Sequence, residues 1–206
     1  MKVISFDVDG TLLDKHFGDA FWREEIPKLY ADQHGVPIED AKEMIFKHYD
    51  EVGDDDIRWY LPEYWFDKYN LKGDPKEILH QMDEEVKIYS DTKKVLSKLH
   101  DKYQLIVVSN AAKMFLDIEL KDLKDYFSHV FSCTSDFKMV KKDPKVYLKV
   151  CEMLELNPSD VVHVGDHERY DYLAAKDMGM TAYLVDRDGD KDNAMKDLTE
   201  LLNLLE

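Results

Sequence analysis

Positive charge and cysteine are both scarce in this 206-residue chain. Lys and Arg number 28 against 44 Asp and Glu, a formal net charge of −16. Nucleic acids and anionic membrane surfaces need clustered Lys and Arg, so neither is expected as a partner. Acidity by itself names no other partner; it chiefly favours solubility. The two cysteines, Cys133 and Cys151, lack metal-ligand spacing and imply no disulfide framework, which fits a reducing compartment. No apolar run approaches the roughly 18 residues of a membrane span. Asp7 arrives too soon for a signal-peptide core. A cytoplasmic location is therefore expected. The sequence also shows no internal repeat and no low-complexity linker.

What is there points to a folded α/β chain. Hydrophobic residues make up 44% and charged residues 35%, which supplies a sizeable core and excludes a disordered chain. The length suits one domain, or one domain carrying a large insertion. Five short runs rich in Val, Ile, Leu or Phe read as buried strands: 3–6, 105–108, 130–132, 161–164 and 182–185. Helical periodicity fills the segments between them. Strands that are apolar on both faces and alternate with helices predict a parallel sheet covered on each side.

One interval breaks the rhythm. Between Asp14 and about Ile88 the pattern is helical throughout, with predicted helices over 19–34, 38–51, 56–70 and 75–87. Pro37 and Pro75 sit near helix starts, and Gly35, Gly53 and Gly73 near helix ends. This block holds all three Trp residues and 12 of the 24 aromatic residues in the chain. It reads as a helical insert, residues 15–88, with its own aromatic core. Residues 1–14 and 89–206 then form the sheet domain. Trp22, Trp59, Tyr60, Tyr64, Trp65 and Phe66 are read as packing residues, with Phe17, Arg23 and Arg58 as minor candidates for the ligand-facing rim. Beyond the insert, a helix is predicted from Ser90-Asp91 to about His100. Asp143 is predicted to cap a helix beginning with Pro144, and Gly179 to end one that starts near Tyr170.

In an open parallel sheet, ligands bind beyond the carboxyl ends of the strands. After the first strand stand Asp7, Asp9, Gly10 and Thr11. Ser109 and Asn110 follow the second, and Gly165, Asp166 and Asp171 the fourth, with Lys141 and Lys142 ahead of the helix that leads to it. Two unit charges about 4 Å apart repel by about 1 kcal/mol in water and about 4 at an effective dielectric of 20. One lysine cannot offset Asp7, Asp9, Asp166 and Asp171, so some acids stay protonated or a cation belongs among them. Carboxylate oxygens without His or Cys at ligand spacing favour Mg²⁺. Such a cation lets an anionic phosphate approach an anionic nucleophile. Ser109, Asn110, a lysine and backbone N–H groups after Asp7 are candidates to hold its oxygens, with Gly10 and Thr11 among the candidate phosphate-binding residues. His163 and His167 are separated by the break from strand to loop, which spoils zinc geometry. "DRDGD" at 186–190 misplaces its Gly for a calcium loop and reads as a surface turn.

These residues resemble the haloacid dehalogenase (HAD) superfamily of hydrolases. Its D-x-D-G-T motif matches Asp7–Thr11, its Ser or Thr ending the second strand matches Ser109, and its G-D…D motif matches Asp166 and Asp171. The third motif, usually K-P-D-P, reads K-K-D-P here. Lys142 takes the usual Pro position, and counting from Asp143 makes Lys141 the motif lysine. The resemblance implies a Rossmann-like core, with helices on both faces, and an all-helical cap inserted after the first motif. It further implies Asp7 as a nucleophile forming an aspartyl-phosphate and Asp9 as general acid and base. Mg²⁺ would be held by Asp7, the Asp9 carbonyl and Asp166, with Asp171 behind them, and Ser109 and Lys141 would contact phosphate. Members that cleave carbon–halogen bonds lack the second Asp, because a departing halide needs no proton. The expectation is thus a phosphatase acting on a small phosphorylated substrate. Phosphosugar mutase, phosphonate hydrolase, haloacid dehalogenase and a non-catalytic phosphate-binding module are its rivals. Neither the substrate nor the oligomeric state is legible.

Overall fold

The computed structural model describes residues 3–141 and 143–205; Lys142, the alternative motif lysine, lies outside the described residues. Five parallel strands form one sheet: β1 (Val3–Phe6), β2 (Gln104–Ser109), β3 (His129–Ser132), β4 (Val161–Gly165) and β5 (Thr181–Leu184). Their order is β3-β2-β1-β4-β5. The chain builds outward from β1 to β3, then crosses back to place β4 on the other side of β1. That reversal opens a crevice at the carboxyl ends of β1 and β4, the usual ligand position in such sheets.

Alternation along each strand divides the core into two layers. Ile4, Phe6, Leu105, Val107, Val162 and Val164 pack on one face with Val95, Leu96 and Leu99 of the Thr92–His100 helix. Val3, Ile106, Val108 and Val161 pack on the other with Val146, Tyr147 and Val150 of the Lys145–Met153 helix. Each fully buried Leu, Ile, Val or Phe contributes about 1.5–3 kcal/mol. The acidic rim is therefore carried by apolar layers, not by its own ion pairs. Both helices start within two residues of the expected positions. Pro144 itself stays outside the second helix, and the Asp143 carboxylate accepts from Lys145 N–H at 3.0 Å, satisfying a first-turn donor.

Between β1 and β2 the chain is helical, as expected, but more broken than its periodicity suggests. The first helical stretch is continuous from His16 to His34, yet it is π-wound over Ala20–Glu25. The predicted 56–70 helix is two pieces, a 3₁₀ turn Ile57–Tyr60 and the helix Pro62–Tyr69. Pro62 lacks an N–H and clashes with the preceding turn, so it can only begin a helix. The predicted 75–87 helix stops at Gln81, and a 3₁₀ turn Asp83–Glu85 comes after it.

Trp65 is fully buried at the centre of this block, edge-on to Tyr49 at 4.6 Å and stacked on Tyr69 at 5.8 Å. The same cluster takes in Ala112, Phe115 and Ile118, which belong to the segment after β2. Trp22 stacks on Phe115 at 5.6 Å. The aromatic core of the helical block thus continues into the sheet's own layer of helices. Among the described residues, no helix is long and apolar enough to cross a membrane.

Candidate active site

The rim residues converge. Asp7 follows β1 directly and is anchored by its N–H donating to the Val164 carbonyl of β4 at 2.9 Å. Asp166 follows β4, and Asp171 lies in the π-wound segment Glu168–Leu173. Wide π turns recur at functional positions because they shift a side chain off the regular helical register. Here the Asp171 and Tyr172 N–H groups both donate to the His167 carbonyl, and the turn brings the Asp171 carboxylate inward. One carboxylate oxygen from each of Asp7, Asp166 and Asp171 lies within 4.8 Å of the others. Gly165 is obligatory in this packing, since a Cβ there would collide with the Asp171 carboxylate.

Two ammonium groups sit among these acids. Lys141 donates to Asp7 Oδ1 at 2.6 Å and to Asp171 Oδ1 at 2.5 Å, with all three side chains nearly or fully buried. Lys15 reaches Asp166 Oδ2 at 2.6 Å from a more exposed position. Sequence reasoning does not place Lys15 here; a chain reversal after Leu13 carries it to the rim. The sequence alone signals only a lysine shortly after the first motif.

Burial pushes the Asp7 carboxyl up to about 8; Asp171 and Asp166 add to the rise and Lys141 opposes it. Asp171 experiences the same burial, but Lys141 and His163 outweigh it and hold its carboxyl below the usual range. Lys141 is held well above the ordinary lysine value: burial opposes its charge, and Asp171 and Asp7 overcome that. Removing this ammonium leaves the buried Asp171 carboxylate without its cation, beside the Asp7 carboxyl. Lys141→Ala is expected to lose about 3–5 kcal/mol of unfolding free energy near neutral pH. Urea denaturation measures it, and a loss under about 1 kcal/mol contradicts this account.

Behind Asp171 runs a buried polar chain. His163 Nε2 lies 3.2 Å from Asp171 Oδ1 and 3.1 Å from the Tyr147 hydroxyl, and Nδ1 lies 2.9 Å from Ser5 Oγ. An ionised carboxylate only accepts, so Nε2 carries the proton and Nδ1 accepts from the Ser5 hydroxyl. Burial lowers the imidazole's basicity more than Asp171 raises it, which keeps the ring neutral. Tyr147 donates onward to the Tyr170 carbonyl at 2.7 Å. His163 therefore orients Asp171.

Asp9 stands apart from the three-carboxylate cluster. Burial and Asp166 raise its carboxyl to about 6. Beside it is Glu119, the last residue of the helix Lys113–Glu119, buried to 1% exposure. Burial, followed by Asp9, pushes the Glu119 carboxyl well above its ordinary value. The two carboxyls share a hydrogen bond, with Glu119 holding the proton and Asp9 accepting, which lowers Asp9 and raises Glu119. Glu119 is a second residue that sequence reasoning does not single out, although its spacing from Phe115 and Leu116 puts it on the buried face of that helix.

The turn after Asp9 closes on itself. Gly10 takes φ +76°, the left-handed conformation the turn demands. Its N–H donates to the Leu13 carbonyl at 2.7 Å and that of Thr11 to the Val8 carbonyl at 3.1 Å. Both amides are used inside the turn. Thr11 is fully buried with its hydroxyl unpartnered. Its carbonyl accepts from Arg187, whose guanidinium also grips Asp91 at 2.8 and 2.9 Å and lies 4.0 Å over the Tyr89 ring. "DRDGD" is thus a turn that also clamps the first motif's loop.

Ser109 and Asn110 both face the crevice. The Ser109 hydroxyl oxygen accepts from Ala111 N–H at 3.1 Å. The Asn110 amide is used at both ends: Oδ1 accepts from Lys141 N–H at 2.8 Å, and Nδ2 donates to the Tyr60 hydroxyl at 3.3 Å. Asn110 thereby fixes the lysine's backbone and joins the helical block to the sheet. Tyr170 makes a second such link, donating to Asp55 Oδ1 at 2.9 Å.

A cavity of about 590 Å³ lies between the rim and the helical block, lined by Asp7, Asp9, Ser109, Lys141 and Asp166 below and by Trp22 and Trp59 above. Trp22, Trp59 and Tyr60 therefore line the crevice, while Trp65 and Phe66 serve the core as expected. Arg23 reaches the cavity; Arg58 instead pairs with Asp56 at 2.7 Å. The donor set suits a hard divalent cation. It is all carboxylate oxygen, closely grouped, and already surrounded by whatever positive charge the chain supplies.

Comparison with known proteins agrees with this geometry. The family described as haloacid dehalogenase-like hydrolase matches residues 1–179. GMP/IMP nucleotidase YrfG of Escherichia coli (strain K12) is 26% identical over 170 residues, 82% of this chain and 75% of that protein. A glyceraldehyde 3-phosphate phosphatase of Pyrococcus abyssi is 28% identical over 198 residues, 87% of this chain and 79% of that one. The crystal structure of a HAD phosphatase from Thermococcus onnurineus superposes with a TM-score of 0.88 at 28% identity, covering 100% of this chain and 98% of that one. With a family match across most of its length, this sheet order and this acidic crevice, the chain belongs to the haloacid dehalogenase-like hydrolases and is a phosphatase-like member of them.

Proposed function

We propose that the protein is a Mg²⁺-dependent phosphomonoesterase working through an aspartyl-phosphate. The observation that carries this reading is the grouping of Asp7, Asp166 and Asp171 within 4.8 Å, with Lys141 bridging the first and last. An Asp7 oxygen attacks phosphorus, and the ester P–O bond breaks. Asp9, whose carboxyl is raised to about 6 and so exchanges its proton readily close to neutrality, acts in its protonated form as the acid for the departing alkoxide. Asp9 then takes a proton from water, which attacks the aspartyl-phosphate at phosphorus, releasing inorganic phosphate and restoring Asp7. Ser109 and Lys141 hold the non-bridging oxygens in line with Asp7. Asp7, the Asp9 carbonyl and Asp166 would hold Mg²⁺, with Asp171 behind them. Bound there, the ion supplies the charge that keeps Asp7 ionised next to an anionic substrate.

Asp9 also supports ester cleavage over carbon–halogen cleavage, because an alkoxide needs a proton and a halide does not. The substrate is a small phosphorylated molecule. The nucleotidase and the triose-phosphate phosphatase among the relatives suggest a phosphomonoester of nucleoside or sugar size. Residues 15–88 are proposed as a cap over a core of residues 1–14 and 89–206, in keeping with an aromatic cluster centred on this block that extends to Phe115. Phosphate release from p-nitrophenyl phosphate tests the reading. Turnover that appears with added Mg²⁺ and vanishes in EDTA is expected; chloride release from a haloacid without metal, or no turnover at all, overturns it.

A further inference from the structure

If the protein is a phosphomonoesterase, the wall above the rim meets the alcohol half of the substrate, and its chemistry sets which alcohols fit. Four aromatic side chains form much of that wall: Trp22, Phe46, Trp59 and Tyr60. They come from three successive segments, the His16–His34 stretch, the Ile38–Val52 helix and the Ile57–Tyr60 turn. All four are half-buried, so each keeps surface free after packing. Buried Tyr49 stands behind three of them. Its ring is edge-on to Trp22 at 6.1 Å and to Trp59 at 5.7 Å, and tilted against Phe46 at 6.3 Å. Its hydroxyl donates to the Trp22 carbonyl at 3.2 Å, which ties this hub to the first segment. The rings are thus held by the protein's own packing before a ligand arrives.

Such a wall favours flat, unsaturated rings for two reasons. An aromatic ring gains offset or edge contacts with fixed aromatic faces, beyond what its buried area alone supplies. The tyrosine hydroxyls along the wall have also given their protons to the protein. Tyr60 donates to the Asp54 carbonyl at 3.0 Å and accepts from Asn110 Nδ2 at 3.3 Å, while Tyr170 donates to Asp55 Oδ1 at 2.9 Å. A polyhydroxylated alcohol therefore gives up water along this wall and finds few donors to replace it. The carboxylates of Asp50 and Asp54 also line the cavity, but both residues are exposed and water competes for them. A cavity of about 590 Å³ leaves room for a ring beside the phosphate.

We propose that this crevice selects phosphomonoesters whose alcohol carries an aromatic ring, with Trp22, Phe46 and Trp59 as the specificity-determining surface. The inference rests on the phosphomonoesterase reading. Primary alkyl esters hold leaving-group basicity nearly constant while the alcohol changes. The series is 2-phenylethyl, 2-cyclohexylethyl and ethyl phosphate, each assayed for phosphate release, with p-nitrophenyl phosphate as the reference. The kcat/KM for 2-phenylethyl phosphate should exceed that for ethyl phosphate by at least about 10-fold, and that for the cyclohexyl ester by at least about 3-fold. Trp59→Leu and Phe46→Leu each keep an apolar side chain but remove a flat face, and each should bring the phenyl-to-cyclohexyl ratio close to one. That ratio is internal to each variant, so a smaller folded fraction cancels from it. If p-nitrophenyl phosphate is hydrolysed while 2-phenylethyl phosphate fails to exceed the cyclohexyl ester, this inference fails and the phosphatase reading stands. A ratio unchanged in both variants also overturns it. Should no phosphate ester be hydrolysed, both readings fall together.

Discussion

Asp7→Asn should lose at least about 10³-fold in kcat toward p-nitrophenyl phosphate while remaining folded. An amide nitrogen or oxygen is a poor nucleophile toward phosphorus, and no neighbouring group can replace Asp7. Asp166 and Asp171 follow a different strand, and Asp171 is fully buried behind Lys141. Fold retention follows from the same geometry. Asn has the shape of Asp, and Lys141 keeps its 2.5 Å partner Asp171 when Asp7 becomes neutral. The substitution also removes a carboxyl that burial already disfavours in its charged form. Thermal unfolding of the variant in EDTA should therefore match or exceed that of the wild type near pH 8. Loss of activity together with a large fall in Tm would make Asp7 a structural residue; full activity would remove it from the mechanism.

The reasons why some of this is legible in the sequence, and some not, are physical. Buried parallel strands must be apolar on both faces, so Val3–Phe6 and Val161–Gly165 stand out as short Val-rich runs. The residues just past such a strand sit at the ligand-binding edge whatever the details of the fold. Asp7, Ser109 and Asp166 can therefore be assigned to one rim from order alone, and Asp7 and Asp166 meet there. Backbone bonding is less readable. The same D-G-T string can offer its amides to a ligand or spend them in its own turn, and only the tertiary path to Leu13 and Val8 decides.

Contacts made across long separations are hidden for a similar reason. Lys15 reads only as the first residue of the helical insert, and nothing local pairs it with Asp166, 151 positions away. His163 reads as one more residue of a strand; its link to Asp171 exists because the next segment is π-wound. Pro62, by contrast, does announce a helix start that the periodicity alone obscures. Trp22 and Trp65 look alike in sequence, yet Trp65 fills the core and Trp22 lines the crevice. An aromatic residue serves packing or binding according to which side of its helix the chain happens to cover.

The same buried acids set a second large effect, on stability. In EDTA, unfolding free energy should fall as pH rises from about 6.5 to about 8, and Mg²⁺ should cancel most of that fall. In the unfolded chain Asp7 is ionised throughout this range, near its ordinary value of 3.8; in the folded protein its carboxyl is raised to about 8 and keeps its proton. The folded state thus binds more protons than the unfolded one, and stability declines by about 1.4 kcal/mol per pH unit for each proton retained. Glu119, also raised, acts in the same direction. His163 does not contribute here: burial lowers it below 6.5, so it is neutral in both states above that pH and costs stability only on further acidification.

A bound cation reverses the preference at Asp7 by favouring the carboxylate, and ligation of the folded state alone adds stability by mass action. The Tm gain from Mg²⁺ should accordingly be larger near pH 8 than near pH 6.5. Asp7→Asn should flatten the decline in EDTA, because it deletes a proton that only the folded state held. Calorimetry across this range, with and without Mg²⁺, reads both effects. A metal-free Tm that holds steady or climbs toward pH 8 would mean that Asp7 is already ionised without a cation, and that Lys141 and Lys15 neutralise the rim by themselves.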